Sequence, residues 1–177
     1  MGRHSQKTSD VLAQRGDTTS GAIFDSTGKF RYLLWRRWDE TLPSLCFIML
    51  NPSTADDIAN DPTIARCVGF ARRWQFGSVT VANAFAYRAT DSARLYRVRD
   101  PVGPLNDEHI LTAAGKSDKI VVAWGNHALL RERHLRMFSL LKDHAPVWCF
   151  GQTKFGQPRH PLYVRNDAEL VPHHWLG

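Results

Sequence analysis

Four short apolar runs, at residues 44–50, 79–82, 120–124 and 146–150, constrain the fold of this 177-residue chain more than any other feature. Each is a nearly continuous apolar stretch, the pattern of a strand covered on both faces. Segments with helical spacing lie between them. Asp61-Pro62 reads as an N-cap followed by proline at the first helical position, opening a helix over residues 63–74 with apolar residues at Ile64, Val68 and Ala71. Residues 106–115 read as a second helix closed by glycine, and residues 128–141 as a third. The order β-α-β-α-β-α-β with right-handed crossovers predicts an α/β fold, a three-layer α/β/α arrangement around a central, mainly parallel four-stranded sheet.

Ahead of this unit, apolar residues 22–24 and 32–35 flank Asp25-Ser26-Thr27-Gly28, a good turn sequence, so an N-terminal hairpin is expected. Residues 1–20 are polar and read as a flexible tail, leaving 21–177 as one domain with one hydrophobic core. No run approaches the length of a membrane span and the N-terminus lacks the apolar core of a signal peptide, which points to a cytoplasmic protein. Cys46, Cys67 and Cys149 are odd in number and far apart, and read as buried thiols in a reducing compartment. Neither they nor the histidines have metal-ligand spacing, so no metal and no cofactor is expected.

The formal net charge is +6 and the pI about 9.5, and basic residues recur beside aromatics, as in Trp35-Arg36-Arg37-Trp38, Arg72-Arg73-Trp74 and Tyr87-Arg88. That mixture suits a phosphate-rich partner; DNA is expected, with no obligate protein partner. In an open α/β sheet, ligands bind beyond the carboxyl ends of the strands. Here those ends carry Asn51-Pro52-Ser53, Asn83, Trp124-Gly125-Asn126-His127 and Gly151-Gln152-Thr153, all polar or glycine-bearing. A long loop, residues 84–105, follows the second strand, and loops of that length are usually functional or flexible.

Asn51-Pro52-Ser53, Val81-Ala82-Asn83, the Trp124-Gly125 strand end and His160-Pro161-Leu162 together resemble the uracil-DNA glycosylase superfamily, over roughly residues 44–163. More closely, Leu50-Asn51-Pro52-Ser53-Thr54-Ala55-Asp56, Asp61-Pro62-Thr63, Arg88-Ala89-Thr90-Asp91, Pro101-Val102-Gly103 and Pro158-Arg159-His160-Pro161-Leu162-Tyr163 resemble an uncharacterised bacterial family, DUF1643.

The superfamily resemblance implies its fold and a monofunctional DNA glycosylase, an enzyme that flips a nucleotide out of DNA and hydrolyses its base-sugar bond without metal. It implies that Asn51 positions the water or holds the base, that His160 stabilises departing negative charge, and that Asn83 hydrogen-bonds the base edge. Pro52 and Ser53 would line the base site, and Phe85 could stack there. Leu162 and Tyr163 occupy the place of the wedge that fills the vacated stack, while Arg88, Lys154 and Arg159 are candidate phosphate or modified-base contacts. The uracil-specific pattern has an aspartate immediately before the first-motif proline and an aromatic soon after it, whereas this chain has Asn51 before Pro52 and Ser53-Thr54-Ala55 after it. Asparagine cannot act as a general base at neutral pH, so either it only orients water, as in mismatch-type relatives, or a carboxylate comes from elsewhere, with Asp56, Asp57 and Asp61 the nearest candidates. Asp56 is favoured as nearest to Asn51, with Asp61 explained as an N-cap. The departure points to a modified base rather than uracil, and the 84–105 loop offers room for a bulky substituent of the kind found in modified phage DNA, hence a role in anti-phage defence. Two other readings stay open: an N-glycosidase or transferase acting on a free nucleoside or nucleotide, and a non-catalytic nucleic-acid-binding module.

Overall fold

The computed structural model describes residues 12–144 and 146–175. In chain order the elements are β1 (Leu12–Gly16), β2 (Ser20–Asp25), β3 (Arg31–Arg37), β4 (Ser44–Met49), α1 (Pro62–Arg73), β5 (Ser78–Asn83), α2 (Asn106–Gly115), β6 (Lys119–Val122), α3 (Arg133–Leu141), β7 (Val147–Cys149) and β8 (Val171–Pro172). No described helix is long and apolar enough to cross a membrane.

One eight-stranded sheet holds them in the order β1-β2-β3-β5-β4-β6-β7-β8. Its strands β5, β4, β6 and β7 are the four apolar runs of the sequence, and they are parallel. The remaining pairings are antiparallel, so the sheet is larger and less parallel than the four-stranded one expected. The difference arises because β3 pairs directly with β5, Leu34 opposite Val81, which makes the hairpin an extension of the sheet. The hairpin turn itself is built as its sequence suggests: the Asp25 carboxylate accepts from the backbone N–H groups of Thr27 and Phe30, and Gly28 takes a positive φ of 70°. Of the expected tail, residues 1–11 lie outside the described residues, and Leu12–Gly16 form a mostly exposed edge strand rather than a free segment.

Side chains alternate between two cores, as a period of two requires. From β4, Cys46 and Ile48 enter a cluster with Ile110 and Ala113 of α2 and with Met137 and Leu141 of α3. Leu45, Phe47 and Met49 enter the opposite cluster with Ile64, Cys67 and Phe70 of α1. Burial on both faces is why β4 reads as a continuous apolar run. All three cysteines are free and buried, and burial pushes the Cys46 thiol up to about 12.

The third helix is shorter than expected. Residues Asn126–Glu132 form 3₁₀ turns, and α3 begins only at Arg133 because Leu130 is extended and Arg131 and Glu132 are left-handed, with φ of 53° and 55°. A left-handed turn costs an L-residue about 1–2 kcal/mol. The Arg131 guanidinium offsets this by donating to the backbone carbonyls of Arg99, at 2.7 Å, and Val98, at 3.0 Å.

The connections set where a ligand can enter. From β4 the chain passes through α1 to β5 on one side; from β5 it crosses through α2, on the opposite face, to β6 on the other side of β4. The direction of winding reverses at this point, which opens a crevice beyond the carboxyl ends of β4 and β6.

Phe47 sits at the centre of the α1-side core, its ring 6.2 Å from Phe150 and 6.5 Å from Trp74. Truncating a buried phenylalanine removes packing and leaves a cavity, so Phe47→Ala should destabilise the protein by about 3–5 kcal/mol in urea denaturation. A change below about 1 kcal/mol would contradict this packing.

Candidate functional site

A cleft of about 740 Å³ opens at the crevice between β4 and β6. Its walls come from the chain after β4 (Leu50, Asn51, Ser53), the start of α1 (Asp61 to Thr63), the turn after β6 (Trp124 to His127) and the loop that carries Arg159 and His160. Gly125 turns the second wall with φ 69° and ψ −167°, a backbone shape that glycine adopts far more readily than any other residue. Its N–H donates to the Pro158 carbonyl at 2.8 Å, tying the β6 turn to the His160 loop.

Asn51 presents an acceptor. Its amide nitrogen lies 2.9 Å from the Pro52 carbonyl and 2.8 Å from the Ala89 carbonyl, and two carbonyl neighbours can be met only by the NH2 end of the amide. Oδ1 therefore stays available, with no partner among the described residues, on a residue that lines the cleft.

Asp61, buried at 9% exposure, lines the cleft, and Asp56 does not. It caps α1 through Oδ1, which accepts from the Ile64 N–H at 2.9 Å, while Oδ2 accepts from the Ala55 N–H at 3.3 Å. The N-cap reading of the sequence is correct, and the residue also lines the cleft because the start of α1 does. Asp56 is half-buried in the loop and does not line the cleft; its Oδ1 accepts from the Ile58 and Ala59 N–H groups, which hold its carboxyl below the ordinary aspartate value.

The loop between Asn51 and Asp61 is clasped from below by two arginines of β3. Arg31, 1% exposed, donates from Nη1 to the Ala55 carbonyl at 2.5 Å. Arg36 donates to the Asp56 carbonyl at 2.7 Å and to the Asn60 side chain at 2.9 Å. Burial lowers the Arg31 guanidinium to about 10, against the pull of Asp61, so it stays charged at neutral pH.

His160 presents a donor. The Leu162 N–H lies 3.3 Å from Nδ1, so in the neutral ring that nitrogen keeps its lone pair and the proton sits on Nε2. Burial lowers its pKa to about 4, against the pull of Asp61, so the ring is neutral at pH 7. The loop is fastened to α1 by Arg66, which donates to the carbonyls of Pro161 and Val164 and to Asn166. One helix thus supplies the cleft carboxylate at its N-cap and grips the histidine loop a turn later.

Of the residues expected from sequence, Asn51, Ser53, Arg159, His160, Leu162 and Tyr163 line this cleft. Leu162 and Tyr163 are exposed at its rim, Tyr163 at 82%, with the Tyr163 ring 5.7 Å from that of His160. Lys154 lies just outside over Phe155. Pro52 is buried, and its carbonyl accepts from Ala89. Phe85 is a core residue with no exposure, so the structure offers it no base to stack on. Arg88 is directed to the hairpin, donating to the Gly28 carbonyl and lying over the Phe24 ring. Asn83 ends β5 at 1% exposure outside the cleft lining, and both of its amide atoms are buried with no partner among the described residues. Lining residues to which the sequence assigned no site role include Asp61, Thr153, Asn126 and His127, although the last three stand at strand ends where a ligand was expected. The signal for the last two was the Trp-Gly-Asn-His strand end. No cluster of three or more potential metal ligands occurs among the described residues.

The chain matches the family model described as Protein of unknown function (DUF1643) over residues 31–162, most of its length, and belongs to that family. No curated protein and no solved structure matches it.

Burial also lowers His173, beneath Trp124, to about 4. Both histidines thus titrate below the usual unfolded value of about 6.5. Between those values the unfolded chain takes up protons that the folded chain refuses, so their stabilising contribution is complete above about pH 6.5 and is lost as pH falls through about 4. Urea midpoints should therefore decline across that window, less steeply in His160→Gln. An equal slope in that variant would contradict a neutral, buried His160.

Proposed function

We propose that this cleft is the active site of a DNA glycosylase that hydrolyses the N-glycosidic bond of a modified, non-uracil base flipped out of DNA. One observation carries the reading: an acceptor at Asn51, a carboxylate at Asp61 and a neutral imidazole donor at His160 converge on one cleft. Breaking a base-sugar bond puts positive charge on the sugar and negative charge on the base, and the attacking water must lose a proton. Asp61 stabilises the oxocarbenium-like sugar and receives the water proton. Asn51 Oδ1 accepts a hydrogen bond from the same water and orients it. His160 Nε2–H donates to the departing base, and because the ring is neutral it offers a hydrogen bond at pH 7 without prior protonation.

The base edge meets Ser53 and Asn126, whose Oδ1 accepts from the Thr153 hydroxyl at 2.7 Å and leaves its NH2 free to donate. Helices on both faces of the four parallel strands support the likeness to the uracil-DNA glycosylase fold, but fold alone does not carry chemistry. Asn51 in place of the aspartate of the uracil-type pattern, together with the open cleft, favours a modified base, with defence against phage carrying such DNA as the biological use.

Mass spectrometry of bases released from a panel of naturally modified phage DNAs tests the activity. On the substrate so found, Asp61→Asn keeps an N-cap while removing the charge, so it should lower the single-turnover rate by about a hundredfold to a thousandfold while melting within a few degrees of wild type. His160→Gln and Asn51→Ala should behave likewise, and Asp56→Ala should retain near-normal turnover. Rate loss in Asp56→Ala equal to that in Asp61→Asn would move the carboxylate role away from Asp61. Wild-type rates in the Asp61, His160 and Asn51 variants would show that the reaction occurs elsewhere.

A further inference from the structure

The long loop after β5 contains a basic, aromatic surface that the proposed reaction does not use. Its 3₁₀ turn Ser92–Tyr96 starts at the cleft, where Ser92 is a lining residue. Tyr96 at its end is 51% exposed, and its hydroxyl lies 3.1 Å from Nδ1 of His127, which also lines the cleft. Arg94, Arg97 and Arg99 are exposed around it, and none forms an ion pair among the described residues. The acidic residues of the segment are turned to its backbone: Asp91 accepts from the Ala93 N–H, and Asp100 from the Val102 and Gly103 N–H groups. Arg131 adds a fourth positive charge and braces the segment through the Val98 and Arg99 carbonyls, holding its own backbone in a left-handed turn to do so.

We propose that residues 92–99, with Arg131, form a binding surface for single-stranded DNA running out of the cleft. Tyr96 stacks on the base beside the one in the cleft, and Arg94, Arg97 and Arg99 meet the flanking phosphates. This rests on the reading that the cleft receives one nucleotide of a DNA strand. Unpaired guanidinium groups around an exposed aromatic ring match the combination of phosphate tracking and base stacking by which proteins hold single strands. Tyr163, exposed on the cleft rim next to His160, offers a second ring. Exposed rings stack on base faces, which a single strand offers and a duplex keeps stacked within itself. A single strand is therefore the occupant that uses the whole surface.

Fluorescence anisotropy with a labelled oligodeoxythymidine, and with a duplex of equal length, tests this. Arg94→Ala/Arg97→Ala/Arg99→Ala should bind the single strand at least tenfold more weakly than wild type, with a salt slope shallower by about two, as the loss of three phosphate contacts predicts. Tyr96→Ala should lose about fivefold or more on the single strand and little on the duplex, whereas Tyr96→Phe, which keeps the ring and drops the bond to His127, should bind as wild type. Single-strand affinity within twofold of wild type and an unchanged slope in the triple variant would overturn the proposal. So would equal losses on single strand and duplex in Tyr96→Ala. If binding depends on these residues but wild type releases no base, the surface stands and the glycosylase reading falls. If base release is normal and binding ignores them, the reverse holds.

Discussion

The Asp61 carboxylate is the contact on which the site depends. Its two oxygens accept from Ile64 and Ala55, so one side chain starts α1 and ends the loop that began at Asn51. Beneath it the buried guanidinium of Arg31 holds the Ala55 carbonyl, and beside it His160 feels its charge. The carboxylate thus sits at the N-terminus of α1 and close enough to the Arg31 guanidinium to act on its charge. The same interactions that let the chain turn from β4 into α1 therefore leave the Asp61 carboxylate in the lining of the cleft.

The second half of the cleft is registered to the first through α1. Arg66 reaches from that helix to the carbonyls of Pro161 and Val164, and the Gly125 N–H reaches the Pro158 carbonyl. His160 thus stands in fixed relation to Asp61, although about a hundred residues separate them in sequence. Side chains held by packing and by neighbouring hydrogen bonds need no reorganisation when charge develops, the condition under which polar groups accelerate a reaction most.

The parallel strands and their helices were legible in the sequence because burial on both faces leaves continuous apolar runs and because Asp61-Pro62 marks a helix start. β1 was not legible: Leu-Ala-Gln-Arg-Gly is a polar, mostly exposed edge strand whose partner, β2, supplies the pairing. Nor was the pairing of β3 with β5, which joins segments more than forty residues apart. The break before α3 was hidden because it depends on Arg131 reaching a distant loop. In the site, Asn51 and His160 could be placed from strand ends and a His-Pro turn. Asp56 was favoured over Asp61 for its nearness in sequence to Asn51, but nearness says nothing about which way a loop turns, and Asp56 turns into its own backbone. Asn83 and Phe85 looked like strand-end residues open to a ligand, whereas both are buried outside the cleft lining, Phe85 in the α2-side core.

On the proposed function, the cleft receives a positively charged sugar lying against Asp61. That reading can be tested without knowing the base. An oligonucleotide carrying a cationic pyrrolidine at one abasic position mimics the oxocarbenium ion, and the same strand with a neutral tetrahydrofuran serves as reference. Transition-state mimics bind at least about a hundredfold more tightly than ground-state ligands. Wild type should therefore prefer the cationic strand by about that factor, and Asp61→Asn should lose most of the preference while keeping its affinity for the neutral strand. Equal binding of the two strands by wild type, or a preference unchanged in Asp61→Asn, would contradict the account.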